Sequence, residues 1–293
     1  MAIPFIICEK IKIDKYPLLF IDLKLNCCAK LLGSLKTYGD MNGKVCIVTG
    51  ASSGIGRAAA ILFARNNARI LAVGRNVEDL KTLQTEAQIY DGDVRIQIAD
   101  VRDSNQIGKL INETTDAFGQ IDVLVNAAGI ILNGSIENTT LDDWDEMMNI
   151  NLRAVFLVMQ QCVPHLEKTK GNIVNVSSVA GLRSFPNVLA YCVSKAAIDQ
   201  LTRCSALELA PKGVRVNAVN PGVVVTSLHK RGGMGDEDYQ NFLENSKKTH
   251  PIGRVGEPEE VAELIYYLAS EKAAWITGAT YEIDGGRAQT CAR

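Results

Sequence analysis

Histidine is scarce in this chain of 293 residues, limited to His165, His229 and His250, and its eight cysteines are scattered without a CxxC pair or a Cys/His cluster. The usual ligand sets for zinc are therefore missing, and no metal site is expected. An excess of one charge is missing too. The formal net charge is −2, from 31 basic and 33 acidic residues, with no basic or acidic block. Neither nucleic acid nor an anionic membrane surface is an expected partner. No apolar run reaches the roughly 18 residues that a membrane span needs. Scattered free thiols suit a reducing compartment, so the cytoplasm is the expected location. The adjacent Cys27 and Cys28 read as ordinary thiols.

Residues 1–40 lack a clear identity. The stretch "PLLFIDLKLNCCAKLLG" is apolar but broken by Asp22, Lys24 and Lys30. Glu9, Asp14 and Asp22 argue against an acid-poor transit peptide, and the apolar part is too interrupted for a good secretory signal. A weak targeting segment that directs import into an organelle, an interfacial segment and an over-extended gene model all remain open. Met41 opens "MNGKVCIVTG", where a compact domain would naturally begin. The expected organisation is an appendage over 1–40 and one domain over 41–293.

Within that domain, short β-branched runs alternate with longer helical stretches. Strands are predicted from "VCIVTG" onward, then at Ile70–Val73, Val94–Ile98, Val123–Val125, Ile173–Val176, Val214–Val219 and Thr280–Ile283. Most are continuously apolar, as in strands covered on both faces. After the first strand, Ile55, Ala58, Ala59, Leu62 and Phe63 form an apolar stripe of helical period. Strand–helix–strand repetition predicts an α/β fold: one doubly wound parallel sheet of about seven strands with helices on both faces. Ligands of such sheets bind outside the carboxyl ends of the strands. The stretch 223–251, rich in charge and glycine, reads as irregular and as a candidate lid.

Chemistry is suggested at two places. Gly50, Gly54 and Gly56 follow a strand and open a helix, where backbone N–H groups and a helix N-terminus suit a pyrophosphate. The turn residues Gly50, Ser52, Ser53, Gly54, Ile55 and Gly56 are the expected cradle. After the second strand stands Gly74-Arg75-Asn76, with no acid to accept a ribose 2′-OH. Arg75 is the expected partner of a 2′-phosphate, which favours NADP(H), with NAD(H) the alternative. Ser53 adds no second positive charge to that site. Farther along, Tyr191 and Lys195 in "YCVSK" stand four apart and share a helix face. An ammonium beside a phenol favours the phenolate, which suits proton transfer in alcohol–carbonyl interconversion.

The chain resembles the short-chain dehydrogenase/reductase family, in its compact branch that includes 3-oxoacyl-carrier-protein reductases and tropinone-reductase-like members. The resemblance spans roughly 41–293. It rests on "TGASSGIG", "NAAG", "NINLRAVF", "VSSVAG", "YCVSK", "NPGVVVT" and "IDGG" in the family's order. It implies Tyr191 as general acid and base, Lys195 lowering the tyrosine pKa and bonding the nicotinamide ribose, Ser178 donating to the substrate oxygen, and Asn151 holding a water in a relay to Lys195. Ser177 competes for the serine role, but only Ser178 has the family's spacing to the tyrosine. The resemblance further implies that Asp100 and Val101 meet the adenine and that Asn126, Ala127, Ala128 and Gly129 line the adenosine ribose and brace the sheet. Pro221, Gly222, Val224 and Thr226 would contact the nicotinamide carboxamide. A homotetramer, joined through the helices of Asn151 and Tyr191 and the last strand, is likewise implied.

The expected activity is an NADP(H)-dependent oxidoreductase interconverting a small-molecule carbonyl and a secondary alcohol. A catalytically silent dinucleotide sensor and an NAD(H)-dependent alcohol dehydrogenase of the same fold are the alternatives. An extended-branch epimerase would need a larger C-terminal region than the few residues after "IDGG". Substrate walls are expected at 130–133, 182–187 and from Val223 through the lid. Arg183, Lys230 and Arg231 there read either as solvated or as meeting an acyl-carrier or coenzyme phosphate.

Overall fold

In the first strand every side chain is buried, because both faces are covered. Residues 41–290 are described by the computed structural model; the appendage proposed for 1–40, with Cys27 and Cys28, lies outside them. The strands are β1 (Val45–Thr49), β2 (Arg69–Gly74), β3 (Asp93–Ile98), β4 (Val123–Asn126), β5 (Asn172–Val176), β6 (Arg215–Pro221) and β7 (Thr280–Ile283). They form one sheet of seven parallel strands in the order β3-β2-β1-β4-β5-β6-β7. The α/β, doubly wound expectation holds, with strand ends displaced by a residue or two.

Side chains alternate across each strand. On one face Cys46, Val48, Ile70, Ala72, Val123 and Val125 pack with helices α1 (Gly54–Arg65) and α10 (Pro258–Ala269). On the other, Ile47, Leu71, Val73, Leu124, Ile173 and Val216 pack with α3 (Ser104–Phe118), α5 (Ala154–Thr169) and α7 (Leu189–Leu209). Each fully buried aliphatic side chain contributes about 1.5–3 kcal/mol relative to exposure. Helix α2 (Val77–Ala87) is capped by Asn76, whose side chain accepts from the N–H groups of Glu78 and Asp79.

The chain leaves β1 toward β2 and β3, then returns to β4 on the opposite side of β1. That reversal opens a crevice at the carboxyl ends of β1 and β4, where the glycine turn and "NAAG" lie. Helix α4 (Leu141–Met148) runs into α5 through one π-helical stretch, Asn149–Arg153, which carries Asn151. Such bulges occur often at functional sites.

The stretch expected to be irregular is largely helical. It holds the short α8 (Leu228–Arg231) and the fourteen-residue α9 (Asp236–Thr249). Asp236, Glu237 and Asp238 open α9, and Lys247 and Lys248 close it, so both charge clusters oppose the helix dipole. Tyr239 and Ser246 of α9 are buried and Phe242 and Leu243 half-buried, a short i, i+3, i+4, i+7 face that the surrounding charge and glycine obscure. The Tyr239 hydroxyl donates to Thr226 O at 2.8 Å and accepts from Thr226 N–H at 3.1 Å, fastening α9 to the chain leaving β6.

Candidate active site

A cavity of about 450 Å³ follows the crevice from Arg75 and Asp100 at one end to Ser178, Tyr191 and Arg287 at the other. The glycine turn forms its floor. A Cβ on Gly50 would stand 2.7 Å from the Ala127 carbonyl and the Ala128 nitrogen, so the β1 turn lies directly against the end of β4. Ser53 caps α1 without a side-chain hydrogen bond, and the first turn of α1 holds no acid. The N-terminal N–H groups thus keep their capacity for an anion. These residues fit a dinucleotide pyrophosphate.

Of the expected cofactor residues, Gly50, Ser52, Ser53, Gly54, Ile55, Arg75, Asp100, Val101, Ala127, Ala128, Gly129, Pro221, Gly222, Val224 and Thr226 line the cavity. Gly56 and Asn126 do not. Gly56 lies behind the turn, where a Cβ would stand 2.5 Å from Gly50 O. The Asn126 amide donates to Asn175 Oδ1 at 2.9 Å, and Asn175 donates to Thr202 Oγ1 at 3.0 Å. This buried chain ties β4 to β5 and α7, so Asn126 braces the sheet, as expected, from outside the cavity lining. The Asp100 carboxylate takes the Arg102 guanidinium through Nε at 3.0 Å and through Nη2, and the bond from Arg102 holds its pKa below the ordinary value. Arg231, expected on the substrate wall, lies within electrostatic reach of Arg75. Partial desolvation, then the Arg75 charge, lower its pKa.

At the other end, β5 delivers Ser177 and Ser178. The Ser178 oxygen caps the short α6 (Val179–Leu182) by accepting from Ala180 N–H at 3.1 Å. Its hydroxyl also reaches the Tyr191 phenol. Ser177 turns the other way and donates to Lys195 O at 3.1 Å. Tyr191 and Lys195 share a face of α7, 8% and 6% exposed, with Nζ 5.6 Å from the tyrosine ring centre. The Lys195 ammonium donates to Val176 O at 2.8 Å.

Burial dominates both titrations. It lifts the Tyr191 phenol to about 12, against the lowering effect of the Ser178 hydrogen bond. It drops Lys195 to about 8, against the raising effect of Asp199. The lowering expected from Lys195 does not figure among the influences of the protein's own groups on Tyr191, where desolvation is the largest.

Asn151 is 1% exposed and does not line the cavity. Its Oδ1 accepts from Ile130 N–H at 2.9 Å, and its Nδ2 donates to Ile130 O at 2.9 Å. A Cβ on Gly129 would stand 3.2 Å from Asn151 Oδ1 and 3.7 Å from Lys195 Nζ, so both side chains reach that glycine. The amide that was expected to hold a water is bonded to backbone.

Two residues escaped the sequence reading. Asp199 follows Lys195 by another turn of α7 and is 1% exposed. It accepts from Asn220 Nδ2 at 2.9 Å, and Asn220 also donates to Ser178 O at 3.0 Å. Continuing the i, i+4 series from Tyr191 and Lys195 would have found it. His250 accepts from Val223 N–H through Nε2 at 3.1 Å and donates through Nδ1 to Ser246 O at 2.6 Å, which fixes its neutral tautomer. No local pattern marks that role.

The comparisons with known proteins agree with this geometry. A family model described as Enoyl-(Acyl carrier protein) reductase matches residues 50–288. The 3-oxoacyl-(acyl-carrier-protein) reductase of Thermotoga maritima is 40% identical over 247 residues, 84% of this chain and 98% of that protein. The meso-2,3-butanediol dehydrogenase of Serratia marcescens is 36% identical over 245 residues, 84% of this chain and 94% of that protein. A crystal structure of a short-chain dehydrogenase/reductase of unknown function from Caenorhabditis elegans, with cofactor, superposes with a TM-score of 0.82 at 38% identity, covering 86% of this chain and 97% of that one. Fold and site define an NAD(P)-dependent oxidoreductase acting on CH–OH groups. The chain belongs to the short-chain dehydrogenase/reductase family.

Proposed function

We propose that this protein uses NADP(H) to interconvert a small-molecule carbonyl and a secondary alcohol, with Tyr191 as general acid and base. One observation carries the reading. The Ser178 hydroxyl, the Tyr191 phenol and the Lys195 ammonium stand together on the wall of a cavity that also receives the glycine turn and Arg75.

The nicotinamide, when bound, supplies or accepts the hydride. The remaining work falls to this chain. Ala180 N–H holds the Ser178 oxygen, and the serine hydrogen, directed at the Tyr191 phenol, would turn to a substrate oxygen placed between the two as negative charge grows there. With a pKa raised to about 12, Tyr191 carries its proton at neutral pH and is ready to give it to the carbonyl oxygen. In oxidation it takes the alcohol proton, and the Lys195 charge stabilises the phenolate that does so. Asn151 holds the Gly129–Ile130 backbone over Lys195 and acts by positioning.

NADP(H) is favoured by Arg75 and Arg231, two cations at the end of the cavity beyond β2, where Gly74-Arg75-Asn76 places no acid directly after the strand and Asp100 is taken by Arg102. Helices α8 and α9 form the substrate lid of a catalytic domain spanning 41–293. Free cysteines at 46, 162, 192 and 204 support a cytoplasmic location, and exposed apolar side chains on α5 and α7 support a homotetramer.

The test is NADPH oxidation against a panel of 3-ketoacyl thioesters, diketones, steroids and retinal, run beside Tyr191→Phe. That variant should bind NADPH, followed by fluorescence, and lose about 10²–10⁴ in turnover. Wild-type rates in Tyr191→Phe defeat the role of the phenol. NADPH binding with no turnover of any carbonyl would mean a sensor.

A further inference from the structure

Arg287 is half-buried beside the reactive end of the cavity and forms no ion pair within hydrogen-bonding distance among the described residues. Arg287 belongs to the C-terminal turn Arg287–Gln289, and its Nε and Nη1 have no hydrogen-bond partner. Its planar group stacks over the Phe185 ring at 4.7 Å, six residues before Tyr191. Asp284, the nearest acid acting on it, is committed elsewhere: its carboxylate accepts from Gly286 N–H at 2.9 Å and Ala288 N–H at 2.6 Å. Across the cavity, His229 of α8 has a buried Nδ1 that is also unpartnered, and its ring lies 4.5 Å from Phe242. Arg287 and His229 are close enough to influence one another.

Polar nitrogens buried without a partner cost free energy, and so an arginine with two of them is seldom idle. Two neighbouring cations outside the lining are engaged, and the lining Arg231 faces the Arg75 end. Lys230 pairs with Asp236 at 2.5 Å, and Arg183 donates to Ala288 O. The Arg183 bond docks the C-terminal turn against the segment that follows Ser178. Asp284 packs on Gly222, where a Cβ would stand 2.9 Å from its Cα. Arg287 thus belongs to the Ser178–Tyr191 end of the cavity, not to the pyrophosphate end.

We propose that Arg287 and His229 form a carboxylate-binding subsite, so that the substrate is an oxo acid whose carbonyl meets Tyr191 while its carboxylate pairs with Arg287; the product of reduction is the hydroxy acid. The inference rests on the carbonyl-reductase reading above. A planar fork matches a carboxylate in two-point geometry. One guanidinium with a single imidazole suits a monoanion, and Phe185, Met234 and Phe242 give the rest of the wall an apolar surface for a short carbon chain.

The experiment measures NADPH-dependent kcat/KM for pyruvate, acetoacetate and levulinate, each against its methyl ester. At least one acid should exceed its ester by about tenfold or more, the scale of a charged hydrogen bond. In Arg287→Met that acid-to-ester ratio should collapse toward one, and Arg287→Lys should restore part of it. NADPH fluorescence and the thermal midpoint report whether each variant folds; if Arg287→Met does not, the wild-type ratio and Arg287→Lys decide. Esters matching or exceeding all three acids, or a ratio that survives both substitutions, overturns the subsite and leaves the reductase reading standing. NADPH that is never consumed with any carbonyl, in this set or in the wider panel, removes the reductase reading itself and the subsite with it.

Discussion

Arg75 and Arg231 carry like charges within reach of each other, and neither forms an ion pair among the described residues. Two cations held together at a ligand cavity repel until an anion lies between them, and a 2′-phosphate is such an anion. Arg75→Glu should therefore shift preference from NADPH toward NADH. Arg231→Gln should raise the KM for NADPH by about tenfold and leave that for NADH nearly unchanged. The ratio of kcat/KM for the two nucleotides checks both; an unchanged ratio excludes either arginine. Lys195 gives a second expectation. Its pKa near 8 means that the ammonium is lost as pH rises through that value, while Tyr191 stays protonated. Reductive kcat/KM should fall above about pH 8, and a profile flat well beyond that pH would show that the charge is not used. The Tyr191–Lys195 pair was legible in the sequence because helical spacing alone puts i and i+4 on one face. Arg287 was not, because its neighbours Phe185 and His229 come from elements 102 and 58 positions away.

The central strands were readable because burial on both faces forces apolar, β-branched runs, as in "VCIVT" of β1, whereas the edge strands β3 and β7 are largely exposed or half-buried. Helix α9 was missed although Tyr239, Phe242, Leu243 and Ser246 stand at helical spacing, because the charged and glycine-rich residues around that narrow face dominate the stretch. What holds this segment in place is a pair of polar clasps, Tyr239 on Thr226 and His250 on Val223. The second clasp needs a neutral imidazole, because Nε2 must accept the Val223 N–H. Burial holds the His250 pKa below 6.5, and burial also lowers those of His165 and His229. With the folded value depressed, the unfolded chain takes up protons first as pH falls. The stabilisation is present above about pH 6.5 and is lost below it, toward the folded value. Urea midpoints should drop between about pH 7 and about pH 5.5, and His250→Asn should flatten that slope and cost about 1–3 kcal/mol at neutral pH by stranding the Val223 N–H. A slope unchanged by the substitution would show that the clasp does not carry it.

At the scale of the whole molecule, the fold leaves large apolar side chains in water. Trp275 is 99% exposed just before β7, Leu207 on α7 is 80% exposed, and Phe156 on α5 and Val193 on α7 are also exposed. Such residues are ordinary singly and informative when they recur on neighbouring elements. The helices carrying them bear Asn151's π-helical stretch and the Tyr191–Lys195 pair, so a covered α5–α7 face would also hold the catalytic helix rigid. The edge strand β7 is open on one side, a second surface that a copy can cover. Two separate self-complementary patches related by two-fold axes generate a tetramer of two-fold symmetry. Sedimentation should give the mass of four chains. Phe156→Glu combined with Leu207→Glu should remove the helical interface and leave dimers joined near β7, while Trp275→Asp should leave dimers joined through α5 and α7. A wild-type protein that sediments as a monomer at micromolar concentration would show that neither patch is an interface.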